Sequence, residues 1–506
     1  MGIIQTQGTK SSFYILIGFV IGAMNMLILF PYFFSTEEIG LTRAILDASI
    51  TFASFCTIGS IPAIYKFNPF YSHYLGPKKN DYPLITLIVI LIGFSIFLFL
   101  GIYNKDFILS QLGKSPSLAK YYYFIFPSTF LLLIYSWLEA FAGTLKKTVT
   151  TNFLKETLIR ILTTFLILLY GFKVIEFNAF IVLFCLLYLP PVFILLFTLI
   201  QSKQWNLNFI INSSVTRRLK GRIFNYTLFV FAGQFFAVLA RTNDTFLILG
   251  LRGLSDTGIF TIAMYLSAII EIPQRSLQSI SVPVLADSWR IKDMENIKSI
   301  YKKSISNLMT IGFLLFGLIL INIHNIVTFL NLISHNQQNV FGPLAGIFFI
   351  LGIARIVDLS TGVNGAIINT SNYWRFDFFT NVAFVTLSIP LNFFLIQYFG
   401  LYGLAFSNLA AILIYNAMRY FFLYKKFKLQ PYTLNHLYFF ILIILLIIGL
   451  YLMPSLQNFV VDGIVKTIVY IVVYYLVLSK IKPAPELTNM FFDFLEKRNI
   501  KILKRF

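Results

Sequence analysis

Long apolar blocks of about 20 residues, each closed by a short polar stretch, recur along the whole 506-residue chain. A block of that length is what a helix needs to cross the hydrocarbon core of a bilayer. Only 12% of the residues are charged, against roughly 25% in a soluble globular chain. The sequence therefore predicts an all-α polytopic membrane protein.

Fourteen spans are expected. The first six are Ser12–Phe34, Ala44–Tyr65, Leu84–Tyr103, Tyr121–Phe141, Leu154–Phe172 and Asn178–Ile200. Phe224–Leu249, Thr257–Pro283, Ile305–Leu330, Pro343–Ile368, Asp377–Tyr398 and Leu401–Tyr424 follow. Leu437–Leu452 and Gly463–Leu478 complete the set. The N-terminus lacks a basic n-region and a small-residue cleavage site, so the first span reads as a permanent helix.

The net charge of +20 raises the possibility of nucleic acid as a partner, but its distribution argues against that. Counted from a cytoplasmic N-terminus, 30 of the 40 lysines and arginines fall on inner connections and tails. Seven, Lys466 among them, fall on outer connections, and Arg241, Arg275 and Arg355 lie within spans. That bias is the positive-inside pattern, and it places both termini in the cytoplasm.

Other chemistries find no footing. Cys56 and Cys185 both fall within spans, and the four histidines form no metal-ligand spacing. No phosphate loop is present, so no intrinsic ATPase, metal or cofactor is expected.

The chain divides at its longest connection. Residues 1–200 form one six-helix bundle, 201–223 a basic cytoplasmic linker, and 224–425 a second bundle. Residues 426–480 add two helices, and 481–506 form a basic amphipathic tail. The segment 287–304 and the tail both read as helices lying on the inner membrane surface. A weak repeat supports two halves: "FFSTEEIGLTRAI" and "LRGLSDTGIFTIA" align Gly40 with Gly258. Glu37, Glu38 and Asp256 then sit where acids suit a helix N-terminus.

These residues resemble a known family. "FPYFFSTEEIGLTRAILDASITFASFCTIGSIPAIYKF" is similar to the first two spans of bacterial polysaccharide flippases. These belong to the multidrug/oligosaccharidyl-lipid/polysaccharide (MOP) exporter superfamily. Asp244 followed by "LGLRGLSDTGIFTIAMYLSAIIEIPQRSLQSISVPVLADSW" resembles its seventh and eighth spans, through Gly258, Phe260, Ala263, Pro273 and Pro283. "LNFFLIQYFGLYGLAFSNLAA" looks like its corner between spans eleven and twelve, through Tyr398, Gly400, Gly403 and Ala405. The resemblance implies a MATE-like fold of two six-helix bundles plus two C-terminal helices. It implies transfer of undecaprenyl-pyrophosphate-linked oligosaccharide across the bacterial inner membrane, for O-antigen, capsule or exopolysaccharide assembly. Membrane lipids and a polysaccharide polymerase with its assembly proteins are the implied partners. Peptidoglycan-precursor flippases carry charges in the first span, where this chain has only Asn25.

Charged residues inside the spans are the candidate site. Each costs roughly 2.5–3.5 kcal/mol at mid-bilayer, so each needs a partner or a wet cavity. They come in helical pairs: Arg241 with Asp244, Glu271 with Arg275, and Arg355 with Asp358. Gln234, Arg241, Asp244 and Thr245 share one face of span seven, in the stretch leading to "VLARTNDTFLILGL". Guanidinium forks suit a pyrophosphate in geometry and charge. The three arginines are expected to guide that group, with the acids holding them. Local ion pairing that only fixes helix contacts is the competing reading. So is a multidrug/cation antiporter, which would favour an acidic cavity. A membrane polymerase or glycosyltransferase would need a sizeable catalytic outer loop, and the longest here, 104–120, carries one acid, Asp106.

Overall fold

The computed structural model describes residues 3–111, 115–209, 213–334 and 339–485. The C-terminal tail expected to lie on the membrane is outside the described residues. Regular structure among them is helical throughout. Among the described residues, ten helices are long and apolar enough to span a membrane, or eleven if Leu344–Ser360 and Asn364–Thr370, bent by 46°, form one span. Fourteen is reached only by adding segments that this criterion does not count separately. These are the charged helix Ser214–Leu251, the composite 148–171, and the second arm of Trp374–Phe427.

The chain packs as two compact units, Met1–Gly258 and, in the main, Ile259–Ile333 with Gln337–Phe506. In the first unit the helix Thr36–Cys56 opens on a capping box. Ser35 Oγ accepts from the Glu38 amide at 3.2 Å, and Glu38 Oε2 accepts from the Ser35 amide at 2.8 Å. Two orphan amides of the first turn are thereby satisfied. Glu37 accepts from Ser117 at 2.7 Å and Asp256 from Arg252 at 2.9 Å. The acids read as helix-start signals thus sit in first turns.

The aligned glycines meet. A Cβ on Gly40 would lie 1.9 Å from the Leu254 carbonyl oxygen, and one on Gly258 would lie 2.1 Å from that of Thr36. Thr36 and Ser255 hydroxyls bond at 2.8 Å beside them. Only glycine allows two backbones this close, as in small-residue crossings of membrane helices.

The helix Ser214–Leu251 also belongs to the first unit. Its N-terminus is tied down by Asp81, which accepts from the Ser213 amide and the Thr216 hydroxyl, both at 2.9 Å. The basic stretch expected as a linker over 201–223 is therefore helical from Ser214 onward. Asn25, the lone polar residue of the first span, sits at a wide turn, Asn25–Leu29. Its amide donates to the Arg160 carbonyl at 3.0 Å and accepts from Thr164 at 2.7 Å.

In the second unit, segment 287–304 is no separate surface helix. It comprises the end of Leu254–Ile291, a turn at Lys292 with φ 60°, and the start of Met294–Ile321. The charges sit on the ends of the two long helices, which run past their apolar windows, and an apolar-block reading stops at the first of those charges. The expected span Ile305–Leu330 breaks at Asn322, where Ile323–Ile333 begins. Lys466, counted with the outer connections although the expected span Gly463–Leu478 holds it, lies inside the helix Phe459–Ile481. There it pairs with Asp462 at 2.9 Å, both nearly fully buried. Asn325 and the Leu456 amide complete the carboxylate's shell at 2.7 and 2.9 Å.

The glycine corner holds the long helix Trp374–Phe427. Gly400 takes φ 57°, ψ −137°, a conformation open to glycine. A Cβ on Gly403 would lie 1.9 Å from the Leu395 carbonyl.

Adding one methyl at the helix crossing should be felt across the first unit. Gly40→Ala and Gly258→Ala are each expected to cost about 1–3 kcal/mol through overpacking. Thermal unfolding of the detergent-purified protein reads this as a lowered midpoint. Gly221→Ala is the matched control, since a Cβ there meets nothing within 4 Å, and its midpoint should not fall.

Candidate functional site

Polar side chains inside the spans form one set in each unit. In the first, Thr36–Cys56 and Ser214–Leu251 are joined by two hydroxyl bonds. Thr245 donates to Asp47 Oδ2 at 2.6 Å, and Thr51 donates to Thr242 at 3.0 Å. Arg43 reaches the same Asp47 oxygen at 2.7 Å from one turn away. Asp47 is buried. The sequence hint was the i, i+4, i+8 row Arg43, Asp47, Thr51, which puts three polar groups on one face. Read residue by residue, Asp47 passes for an interfacial acid.

The expected face of span seven lies on the continuous helix Ser214–Leu251. Asp244 is buried at 8% exposure. The Arg241 side chain lies outside the described residues, so its pairing with Asp244 does too. Thr245 on that helix donates to Asp47. The Gln234 Oε1 is buried and accepts no hydrogen bond among the described residues.

In the second unit, two arginines converge on one acid. Glu271 takes Arg275 Nε at 3.3 Å on its own helix, the expected i,i+4 pair. It also takes Arg355 Nη1 at 3.2 Å from the helix Leu344–Ser360. Glu271 and Arg355 are mostly shielded, at 22% and 26% side-chain exposure, while Arg275 is 67% exposed.

The expected Arg355–Asp358 pair is not formed. Asp358 instead accepts from Asn416 Nδ2 at 2.9 Å. Asn416 Oδ1 in turn accepts from Thr361 at 2.7 Å and from Asn364 at 3.0 Å. The i,i+3 spacing puts both groups near one face, but facing helices offer each a partner. Nothing in the local sequence announces either one.

A further buried pair was hidden among the inner-connection charges. Arg419 bonds Asp377 through Nη2 and lies 3.9 Å over the Tyr415 ring. A Cβ on Gly365 would lie 2.6 Å from its Nη1, so that glycine makes room for the guanidinium. Outside the spans, burial pushes the Tyr432 phenol up to about 12, with Tyr420 adding and the bond to the Ser360 carbonyl opposing. At neutral pH it stays a donor to that carbonyl, at 3.0 Å. Among the described residues, no group of three or more His, Cys, Asp or Glu is placed to hold a metal.

No family model and no curated protein matches the chain. Solved structures do. One described as the lipid II flippase MurJ in an inward closed conformation aligns over 93% of this chain and 98% of its own, at TM-score 0.71 and 13% identity. An inward-facing multidrug resistance MATE transporter aligns over 81% and 97%, at 0.57 and 13%. A MOP superfamily transporter from Pyrococcus furiosus, described as having a binding pocket of reversed polarity, aligns over 83% and 95%, at 0.54 and 12%. The chain therefore shares the multi-pass helical fold of these structures.

The Glu271–Arg355 contact predicts a measurable coupling. Glu271→Gln and Arg355→Gln should each destabilise the protein by about 1.5–3 kcal/mol, the range for a charge-assisted hydrogen bond. In a double-mutant cycle the pair should lose less than the sum of the two. Additive losses in thermal unfolding would mean that the contact carries no energy.

Proposed function

We propose that the protein is a flippase. It carries undecaprenyl-pyrophosphate-linked oligosaccharide from the inner to the outer leaflet of the bacterial cytoplasmic membrane, by alternating access, for O-antigen, capsule or exopolysaccharide assembly. The trio Arg275–Glu271–Arg355 carries this reading. Two guanidiniums on one carboxylate leave a net positive charge within membrane-spanning helices. A pyrophosphate is the lipid-borne group that such forks bind best.

In this reading Arg355 and Arg275 attract the phosphates, together with Arg241, and Glu271 holds the two guanidiniums in place. Asp244 and Gln234 add polar lining in the first unit. Asp358, tied to Asn416, acts as a joint that keeps the Arg355 helix in register. The fold likeness to a structure named as a lipid II flippase supports a lipid-linked cargo. The partners are membrane lipids, the lipid-linked substrate and a polymerase with its assembly proteins. Both termini are cytoplasmic by the charge bias.

Multidrug antiport is the second reading, favoured by likeness to structures named as multidrug MATE transporters. A cationic drug would need a free carboxylate, and Glu271 is already shared by two arginines. The reversed pocket polarity described for one structure of this fold makes polarity the feature that separates the two. None of the structures compared is named as an enzyme, and the short outer connections offer no catalytic loop.

Deletion of the gene should strand lipid-linked repeat units on the inner leaflet and abolish surface polysaccharide. Arg355→Ala and Arg241→Ala, expressed at the normal level, should restore little of it, and Arg355→Lys more. Full surface polysaccharide with both alanine variants would remove the arginines from the mechanism. Undiminished polysaccharide in a deletion strain lacking any second flippase would remove the function itself.

A further inference from the structure

The first unit encloses a cavity of about 890 Å³ that the polar sites do not use. Its wall comes from Thr36–Cys56, Tyr82–Tyr103, Pro116–Thr144 and Ser214–Leu251. The lining is aromatic and aliphatic, with Phe52, Phe55, Phe97, Phe126, Phe231 and Phe246 contributing rings. Tyr122 also lines it, but its hydroxyl is spent on the Gly101 carbonyl at 2.7 Å.

The cavity is polar at one end only. Asn104 and Gln111 supply two amides there, on the connection that follows Tyr82–Tyr103, with the Asn104 Nδ2 already donating to the Leu100 carbonyl at 2.9 Å. At the other end the helices close on each other. A Cβ on Gly93 would lie 2.3 Å from the Cys56 carbonyl, and one on Gly59 would lie 2.4 Å from that of Thr227. Ile96 and Leu100 line the cavity and are also half or more exposed. On the membrane-spanning helix Tyr82–Tyr103 that exposure is to lipid, so the cavity opens sideways into hydrocarbon.

Dimensions fit a single chain. Ala44 to Cys56, both in the lining, are twelve helical residues apart, about 18 Å at 1.5 Å per residue. One leaflet contributes about half of a core roughly 30 Å thick. Water gains nothing in an apolar space without hydrogen-bond partners. Leaving such a volume empty costs in proportion to its size.

We propose that this cavity binds one hydrocarbon chain of a membrane lipid, with the chain against the phenylalanines and the headgroup at Asn104 and Gln111. Phospholipid acyl chains and polyprenyl chains share that chemistry. The site does not rest on the flippase reading, since a resident phospholipid would occupy it in any member of the fold with these walls.

The test uses the full-length protein in phosphatidylethanolamine/phosphatidylglycerol vesicles. One set is doped with a phosphatidylethanolamine bearing a diazirine near the end of one acyl chain, the other with a diazirine-bearing polyprenyl phosphate. After irradiation, adducts are mapped by mass spectrometry. Adducts should appear at Phe52, Phe55, Phe231 or Phe246, and the productive probe names the source of the chain. Ile96→Trp/Leu100→Trp, which fills the mouth, should abolish those adducts while leaving labelling of lipid-facing Ile92 and Phe99 intact. Should that variant fail to fold, Gln111→Trp tests the headgroup end in the same way. Adducts confined to outward residues such as Ile92 and Phe99 with both probes would overturn the proposal. Cavity labelling that the tryptophans leave unchanged would do the same. Because no transport is measured, either outcome is independent of whether the protein moves a lipid-linked glycan.

Discussion

A carboxylate inside hydrocarbon must meet a donor, and that requirement organises both units. Asp47 meets Thr245 and Arg43, Glu271 meets Arg275 and Arg355, and Asp358 meets Asn416. Asp377 meets Arg419, and Asp462 meets Lys466 and Asn325. The bonds to Thr245, Arg355, Asn416 and Asn325 cross from one helix to another, and Arg419–Asp377 joins the two arms of Trp374–Phe427. Each of these removes a desolvation penalty and also fixes which helical segments lie side by side. Lipid gives helices little hydrophobic reason to associate, so such contacts and close packing decide the arrangement.

Close packing is supplied by glycine at the points where charge is absent. Gly40 and Gly258 let two helix starts touch backbone to backbone. Gly403 does the same at the corner that Gly400 turns. Gly93 and Gly59 close one end of the apolar cavity. The two devices are complementary. Polar bonds set the register of neighbouring helices, and glycines set their distance. A space remains where neither operates, and there the phenylalanines line a cavity suited to lipid.

How much of this was legible depends on the range of the interaction. Helix-start acids are local signals, and Glu37, Glu38 and Asp256 sit in first turns as read; Gly40 and Gly258, aligned in sequence, meet inside the first unit. The Glu271–Arg275 pair is an i,i+4 contact and forms as expected. The Arg355–Asp358 pair met the same spacing rule and does not form, because partners from facing helices win both groups. Lys466 and Arg419 fall near the ends of the expected spans Gly463–Leu478 and Leu401–Tyr424 and were counted with the adjoining connections, since a lone charge near a helix end looks the same whether it faces water or a buried carboxylate. Asn416 gave no signal, because a single asparagine in an apolar run carries no information about its neighbour.

The sequence by itself determined that the chain is a multi-pass helical membrane protein, where most of its helices run, and which residues bear charge within them. It could do so because hydrocarbon length and helix periodicity act along the chain. Only the tertiary structure decided which charge meets which. It brought two arginines to one Glu271, drew Asp358 away to Asn416, and left an apolar pocket in the first unit. Those outcomes depend on contacts between residues far apart in the chain, and a one-dimensional pattern cannot encode the distance between two helices.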